Sequence, residues 1–339
     1  MLNLGIIGLG VGVSHLRGIQ RLANVRVKTI CDTNAEKLKT VAETYGIAKT
    51  CTDYRLMLTD PELDGICVAT PDQLHAEMVC AALRAGKHVL CEKPLSLHSD
   101  ECREMIRTAE ETGKILMVGQ VCRLTPGFLK AKQLIDEGVL GEIYFVESEY
   151  AHDYTEIGGW RKDPALMRHP VTGGGCHPVD LLRWLTGSDP QEVFSYSTHR
   201  ALPDWPCDDS TIAVLKFSEG LMGKILVSTG CKRAYTMRTV IYGTKGTLIT
   251  DNTSPQISLY TSTFGELDSF MGKRMEEIEH RIPVRVDNHN FGDEIAEFCR
   301  CIETGSRPKI SAEEGARAVA VCEAIIRSSA TGNPEKVRY

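Results

Sequence analysis

The chain predicts a doubly wound α/β domain with a parallel sheet, followed by an α+β domain with a large open, mostly antiparallel sheet. Three observations carry this. The first 120 residues alternate short apolar runs with helix-like segments, the rhythm of parallel strands joined by right-handed crossovers. A glycine turn, GLGVG, follows the first apolar run. After about residue 120 the rhythm changes to longer apolar–polar alternation bounded by turn residues.

Taken in order, LNLGIIGLG (2–10) reads as a strand entering a glycine turn, and VRVKTICD (25–32) as a strand ending in an acid. NAEKLKTVAETYG (34–46) is an amphipathic helix with a glycine stop. DGICVAT (64–70) is a strand, HAEMVCAALRAG (75–86) a helix, HVLCEKP (88–94) a strand, SDECREMIRTAEETG (99–113) a helix and KILMVGQ (114–120) a strand. These make residues 1–120 the first domain and 121–339 the second. In the second, FLKAKQLIDEG (128–138) is helical. EIYFVESEYAHDY (142–154), EVFSYSTHR (192–200), STIAVLKFS (210–218), LMGKILVSTG (221–230), RTVIYGTKGTLIT (238–250) and QISLYTS (256–262) are strand-like. NFGDEIAEFCRCIETG (290–305) and SAEEGARAVAVCEAIIRSSATG (311–332) return to helix, with room to pack back on the first domain.

Composition excludes several classes. At 339 residues, 42% hydrophobic and 25% charged, the chain is neither disordered nor collagen-like. The net charge is −6 and no Lys/Arg block stands out, so neither nucleic acid nor an anionic membrane is expected as a partner. No apolar run reaches membrane-span length, and the first residues read as a strand rather than a signal peptide. The 13 cysteines are odd in number and form no CxxC pair. They read as reduced thiols in a cytoplasmic protein.

The glycine turn points to a dinucleotide. Gly8 and Gly10 fit the fingerprint that brings backbone up to a pyrophosphate at a helix N-terminus. The next glycine is Gly12, closer than the standard spacing, and Val13 stands where Gly or Ala is expected. Asp32 ends the second strand, where an acid accepts hydrogen bonds from the adenosine ribose. It would repel a 2′-phosphate, and neither Thr33 nor Asn34 neutralises one, so NAD is favoured over NADP. Thr70 and Pro71 of VATPDQLH belong at the carboxyl edge of the sheet, where ligands of open α/β sheets bind. His75, Glu92 and Gln120 are further candidates on the cofactor side.

GKHVLCEKPL (86–95) delivers Glu92, Lys93 and Pro94 to the same edge. A lysine beside a nicotinamide can hydrogen-bond a reacting hydroxyl and favour loss of its proton. The proline can fix its direction, through a cis bond among other ways. Further on, PVTGGGCHPVDLLRW (170–184) places His177 and Asp180 three apart, on one face of a helix beginning there, with Pro178 its first or second residue. Asp180 can hold the His177 ring or contact a substrate hydroxyl. Gly173 to Gly175 read as close-packing backbone. A metal centre at His177 would need more ligands. His152 and Asp153 could reach it, but no tight spacing supports one and no metal is expected. His152, Asp153, Trp160, Arg161, Arg168 and His169 are candidate substrate contacts.

These segments resemble the Gfo/Idh/MocA oxidoreductases, the group of glucose–fructose oxidoreductase and inositol dehydrogenase. IIGLGVGVSH, CDTNAEKL, VATPDQLHAE, AGKHVLCEKPL, VGQVCRLTP, GGGCHPVDLLRWLTG and FGDEIAEFCRCIETGSRP occur in the family's order over nearly the whole chain. The resemblance implies an N-terminal Rossmann domain binding NAD(P). It implies a second domain whose sheet forms homodimers or homotetramers, and a sugar, inositol or related polyol as substrate. It makes Lys93 the catalytic lysine, His177 the active-site histidine and Asp180 the acid following it, and it matches Arg123 and Pro126 to the motif opening the second domain. Arg123 is thereby a substrate-side candidate. One position departs: inositol-dehydrogenase-like members carry an aspartate four residues before the histidine, and Gly173 stands there.

Three functions follow. The first is NAD-dependent hydride transfer from a sugar or polyol carbon, with the hydroxyl proton passing to Lys93 and His177. The second is redox-neutral sugar elimination or cleavage through transient oxidation, which Gly173 keeps open. The third is non-catalytic nucleotide binding, against which the pair Lys93 and His177 argues.

Overall fold

The structure is a computed structural model. It describes residues 1–166, 168–268 and 272–339, with side chains throughout these except in 263–268 and 272–276. The chain divides into two compact units: Met1–Val121 with Asn290–Ala320 and Tyr339, and Cys122–His289 with Val321–Arg338.

The first unit is built on six parallel strands: β1 (Leu2–Ile7), β2 (Val25–Cys31), β3 (Lys49–Cys51), β4 (Gly65–Val68), β5 (His88–Cys91) and β6 (Leu116–Val118). Their order is β3-β2-β1-β4-β5-β6. Connections reverse direction between β1 and β4, so the carboxyl ends there open on a switch point, the place where such sheets bind ligands. All four residues of β4 are buried, as a parallel strand covered on both faces requires. The helices α1 (Gly12–Ile19), α2 (Ala35–Tyr45), α3 (Tyr54–Leu58), α4 (His75–Arg84) and α5 (Ser99–Thr112) fill the crossovers. Local chemistry sets their ends: the Asn34 side chain accepts from the Lys37 amide at 3.0 Å to start α2, and Gly46 stops it at φ +68°.

The second unit holds α6 (Pro126–Asp136), β7 (Ile143–Ala151), α7 (Pro170–Gly173), α8 (Cys176–Thr186), β8 (Glu192–Thr198), β9 (Ser210–Lys216), β10 (Met222–Ser228), β11 (Thr236–Gly243), β12 (Thr247–Asp251), β13 (Gln256–Asp268) and β14 (Gly272–Pro283). Of the remaining elements, the helix α9 (Phe291–Thr304) belongs to the first unit, the helix α10 (Ala312–Thr331) divides between the two at Ala320, and the two-residue β15 (Glu335–Lys336) belongs to the second. A nine-stranded sheet runs β14-β13-β12-β11-β7-β10-β9-β8-β15. It is antiparallel except for β10 against β7. Strand alternation assigns the faces: Thr211, Ala213 and Leu215 of β9 are buried, while Ile212 and Val214 between them are exposed.

The strand β14 was not expected. It is an edge strand, and residues 277–281 are exposed and mostly charged, so no buried apolar face shows in its sequence. All thirteen cysteines are free, most of them buried as small apolar side chains.

Candidate functional site

In the first unit, five strand exits carry the residues expected on the cofactor side. Gly8 follows β1, Asp32 follows β2, Thr70 and Pro71 follow β4, Glu92 and Lys93 follow β5, and Gln120 follows β6. Gly8 sits at φ +89°, and a Cβ there would lie 2.4 Å from the Ala69 carbonyl oxygen, so only glycine fits. A Cβ on Gly10 would meet nothing within 4 Å, which leaves backbone open to a ligand. The helix α1 begins at Gly12, whose absent Cβ lets it approach Ile6. The short spacing thus still gives a strand–turn–helix.

Asp32 is tied to that turn. Its carboxylate accepts from the Leu9 amide at 2.8 Å and the Asn34 amide at 2.9 Å, and the Lys37 ammonium stands 3.8 Å away. With Thr33, Thr70, Pro71 and Leu74 it lines a cavity of about 470 Å³. The Thr70 hydroxyl and the Gln120 side-chain oxygen are buried without a hydrogen-bond partner among the described residues. Open glycine backbone, a terminal acid and orphaned polar atoms along one sheet edge fit a dinucleotide.

Two candidates face inward instead. His75 is fully buried, its Nδ1 2.9 Å from the Pro94 carbonyl oxygen and its Nε2 3.1 Å from that of Thr70. It ties the loop after β5 to the loop after β4. Glu92 is buried against His15, Oε1 to Nε2 at 2.8 Å, and its Oε2 accepts the Lys93 amide at 3.1 Å. On the other side of the imidazole, Nδ1 lies 3.6 Å from the wholly buried Glu294. Burial works to raise the Glu92 carboxyl, but the His15 hydrogen bond and the nearby charges of His15 and Lys93 hold it below the usual range. Burial, then the Glu92 charge, pushes Glu294 well above its ordinary value. One carboxylate, one carboxylic acid and an imidazole thus back the segment that carries Lys93. The Lys93–Pro94 bond is cis.

In the second unit, α8 starts at Cys176, with His177 its second residue and Pro178 its third, one position later than expected. The first four helical amides lack intrahelical partners, so proline is tolerated there too. The three glycines are close-packed. A Cβ would meet Arg168 Nε at 2.5 Å from Gly173, the Tyr150 ring at 2.3 Å from Gly174, and the Val171 carbonyl oxygen at 2.5 Å from Gly175. At 173, the Arg168 guanidinium occupies the space a side chain would fill.

His177 and Asp180 are both buried but have different partners. His177 Nδ1 lies 3.2 Å from Cys122 Sγ. Asp180 takes two hydrogen bonds from Arg123, at 2.7 and 2.6 Å, so its carboxylate is engaged by the arginine rather than the imidazole. Arg123 is itself buried in this pair. His152 Nδ1 meets the Tyr150 hydroxyl at 3.0 Å, inside an aromatic group with Tyr154 and Tyr235. Asp153 pairs with Lys232 at 3.1 Å near the surface. Hydrogen bonds from Thr155, then Lys232, outweigh the small cost of burial and hold its carboxyl down at about 2. Arg161 and Arg168 lie over the Trp160 ring, at 4.9 and 5.0 Å. The His169 side chain accepts from the Val171 amide and caps α7.

Sequence reasoning missed Cys122, Tyr150, Tyr235 and His289 in this unit, and His15 and Glu294 in the first. Cys122 adjoins a motif residue and His15 closes the glycine segment, so position offered a signal for these two. The others meet their partners only through the tertiary fold.

Comparison with known proteins finds relatives along nearly the whole chain. Residues 2–120 match the GFO_IDH_MocA profile, described as the oxidoreductase family with an NAD-binding Rossmann fold, and residues 128–249 match the GFO/IDH/MocA C-terminal domain. The 1,5-anhydro-D-fructose reductase of Ensifer adhaerens is 28% identical over 341 residues, 98% of each chain. The myo-inositol 2-dehydrogenase of Thermotoga maritima is 26% identical over 334 residues, 94% of this chain and 93% of that one. A levoglucosan dehydrogenase solved in complex with NADH shares the fold at a TM-score of 0.86, with 23% identity and 99% of both chains covered.

Proposed function

Because the chain belongs to the GFO/IDH/MocA oxidoreductase family, we propose that it is an NAD-dependent dehydrogenase acting on a hydroxyl-bearing carbon of a sugar, inositol or related polyol. The observation that carries this is Lys93 at the carboxyl edge of the parallel sheet, on the same edge as the open Gly10 backbone and Asp32. Bound NAD supplies the hydride acceptor. The chain's residues hold it and handle the proton. Gly8 makes the tight turn and Gly10 leaves room for the pyrophosphate, Asp32 takes the adenosine ribose and excludes a 2′-phosphate, and Thr70 and Gln120 offer their unpartnered groups.

Lys93 hydrogen-bonds the reacting hydroxyl and favours loss of its proton, and His177 is the second proton-handling group. His75, Glu92 and His15 act behind Lys93 by fixing the loop that carries it. Asp180 serves by holding Arg123. Tyr150, His152, Tyr154 and Trp160 supply the aromatic and hydroxyl surface that suits a sugar, whose rings present both C–H faces and hydroxyls.

The outer face of the nine-stranded sheet supports a homo-oligomer. Tyr196, Ile212, Val214 and Met222 are 65%, 43%, 51% and 50% exposed on adjacent strands. Thirteen free thiols suit a reducing compartment, and we place the enzyme in the cytoplasm. Among the described residues no helix is long and apolar enough to cross a membrane.

A panel of sugars, inositols and sugar acids assayed for NADH release tests the reading. Steady NADH formation on a polyol supports it. Product formation on catalytic NAD without net NADH would assign redox-neutral chemistry instead. Tight NAD binding with no turnover on any member would leave a nucleotide-binding protein.

A further inference from the structure

Four sulfur and nitrogen donors converge inside the second unit. Ligand atoms of Cys122, His177 and His289 all lie within 4.8 Å of one another. Cys122 Sγ is 3.2 Å from His177 Nδ1, and Met237 Sδ is 3.8 Å from the same sulfur. Cys122, His177 and Met237 are buried, while His289 is half-buried, which gives the cluster one side of access. The donors come from the turn after β6, the start of α8, the strand β11 and the segment before α9.

We propose that Cys122, His177 and His289, with Met237 as a weak fourth donor, bind a thiophilic d10 ion, Cu(I) or Zn(II). A thiolate with two imidazoles is the donor set such ions select, and a thioether adds to it for copper. Bonds of about 2.0 Å to nitrogen and 2.3 Å to sulfur put tetrahedral ligand atoms roughly 3.3–3.8 Å apart. The Cys122–Met237 separation of 3.8 Å lies in that range, and the Cys122–His177 separation of 3.2 Å is a few tenths of an ångström shorter, which a small side-chain shift on binding would close. The third donor, His289, is supported from behind, as metal-bound imidazoles are: Tyr235 stacks on it, with its hydroxyl 3.4 Å from Nε2. That contact assigns Nε2 to Tyr235 and Nδ1 to the ion.

Binding replaces the Cys122 S–H bond with a sulfur–metal bond and releases one proton to solvent. Coordination through Nδ1 also fixes the remaining ring proton of His177 on Nε2, so the imidazole can donate but no longer accept. On the proposed reading of His177, a loaded enzyme stops oxidising its substrate. The ion therefore acts as a reversible inhibitor.

The test uses the full chain, stripped by chelation. Zn(II) is titrated by calorimetry, and Cu(I) is titrated anaerobically against a chromophoric chelator. Co(II) serves as the probe of thiolate ligation. Expected are one equivalent per chain, proton release, and a sulfur-to-cobalt charge-transfer band. Cys122→Ser should abolish the band and weaken binding by about 10²-fold, and His289→Asn by at least about 10-fold. Met237→Leu should weaken Cu(I) and spare Zn(II). His289 is half-buried, so its variant keeps the test decisive if Cys122→Ser fails to fold. No saturable binding below about 10 µM, or undiminished binding in His289→Asn, overturns the site. Tight binding with unchanged turnover upholds the site and removes His177 from proton handling.

Discussion

Arg123 holds Asp180 through two hydrogen bonds, Nε to Oδ2 at 2.7 Å and Nη2 to Oδ1 at 2.6 Å, with both side chains almost wholly buried. The pair links the segment after β6 to α8. Arg183 adds a more distant contact at 3.9 Å and itself pairs with Asp189 at 2.6 Å. Removing one partner of such a pair strands a buried charge. Asp180→Ala is therefore expected to lower unfolding free energy by about 3–5 kcal/mol. Replacing both members, as in Arg123→Met with Asp180→Leu, should recover most of it. Urea denaturation of the two variants checks this, and equal losses would show that the pair is not the unit of stability.

The buried acid Glu294 predicts a pH dependence. Its carboxyl is raised well above the ordinary range, mainly by burial and then by Glu92; the ionisable groups around it are Glu92, His15 and Cys67. Both folded and unfolded forms are protonated at low pH, so the contribution is whole there. As pH rises past the unfolded carboxyl value, only the unfolded state ionises, and stability is lost. Glu92, held low, works in the opposite sense and loses its contribution as pH falls. Glu294→Gln should flatten the decline that sets in as pH rises past the unfolded carboxyl value of about 4.3. An unchanged slope in thermal midpoints would place the titration elsewhere.

Asp32 predicts cofactor choice. NAD should bind more tightly than NADP, and Asp32→Ser should narrow the gap, because the carboxylate confronts a 2′-phosphate. Lys37, 3.8 Å away, only partly offsets it. Calorimetric titration with both nucleotides decides, and tighter NADP binding by the unmodified enzyme would refute the assignment.

The exposed apolar strip on β8, β9 and β10 predicts association. Light scattering at micromolar concentration should report a dimer or larger. Val214→Lys with Tyr196→Asp should shift it toward monomer, since both side chains lie on the outer face. A monomeric unmodified protein would show that the strip serves another purpose.

Much of this architecture was legible because period and punctuation carry it. Parallel strands such as β4 are short apolar runs between turns, and the strand exits follow directly, so Gly8, Asp32, Thr70 and Lys93 could be placed on one edge from spacing alone. The charged edge strand β14 was missed, since no buried face shapes its sequence. The site was legible in its residues and less so in its pairings. His177 and Asp180 do start one helix, yet Asp180 turns to Arg123 and His177 to Cys122, contacts 57 and 55 residues away in sequence. Helical spacing fixes a shared face but does not say which distant side chain arrives there. The Arg168 side chain beside Gly173 comes from only five residues earlier, but the short segment between them has no periodicity from which to read the contact.

Lys93 is the residue on which the functional account rests. The most direct measurement is turnover of Lys93→Ala on the best substrate of the panel, alongside its affinity for NAD. The account predicts unchanged NAD binding and turnover lower by about 10²-fold or more, the range for a positioned acid–base group. Near-normal turnover with normal NAD binding would contradict it, and the segment carrying Lys93 would then be structural.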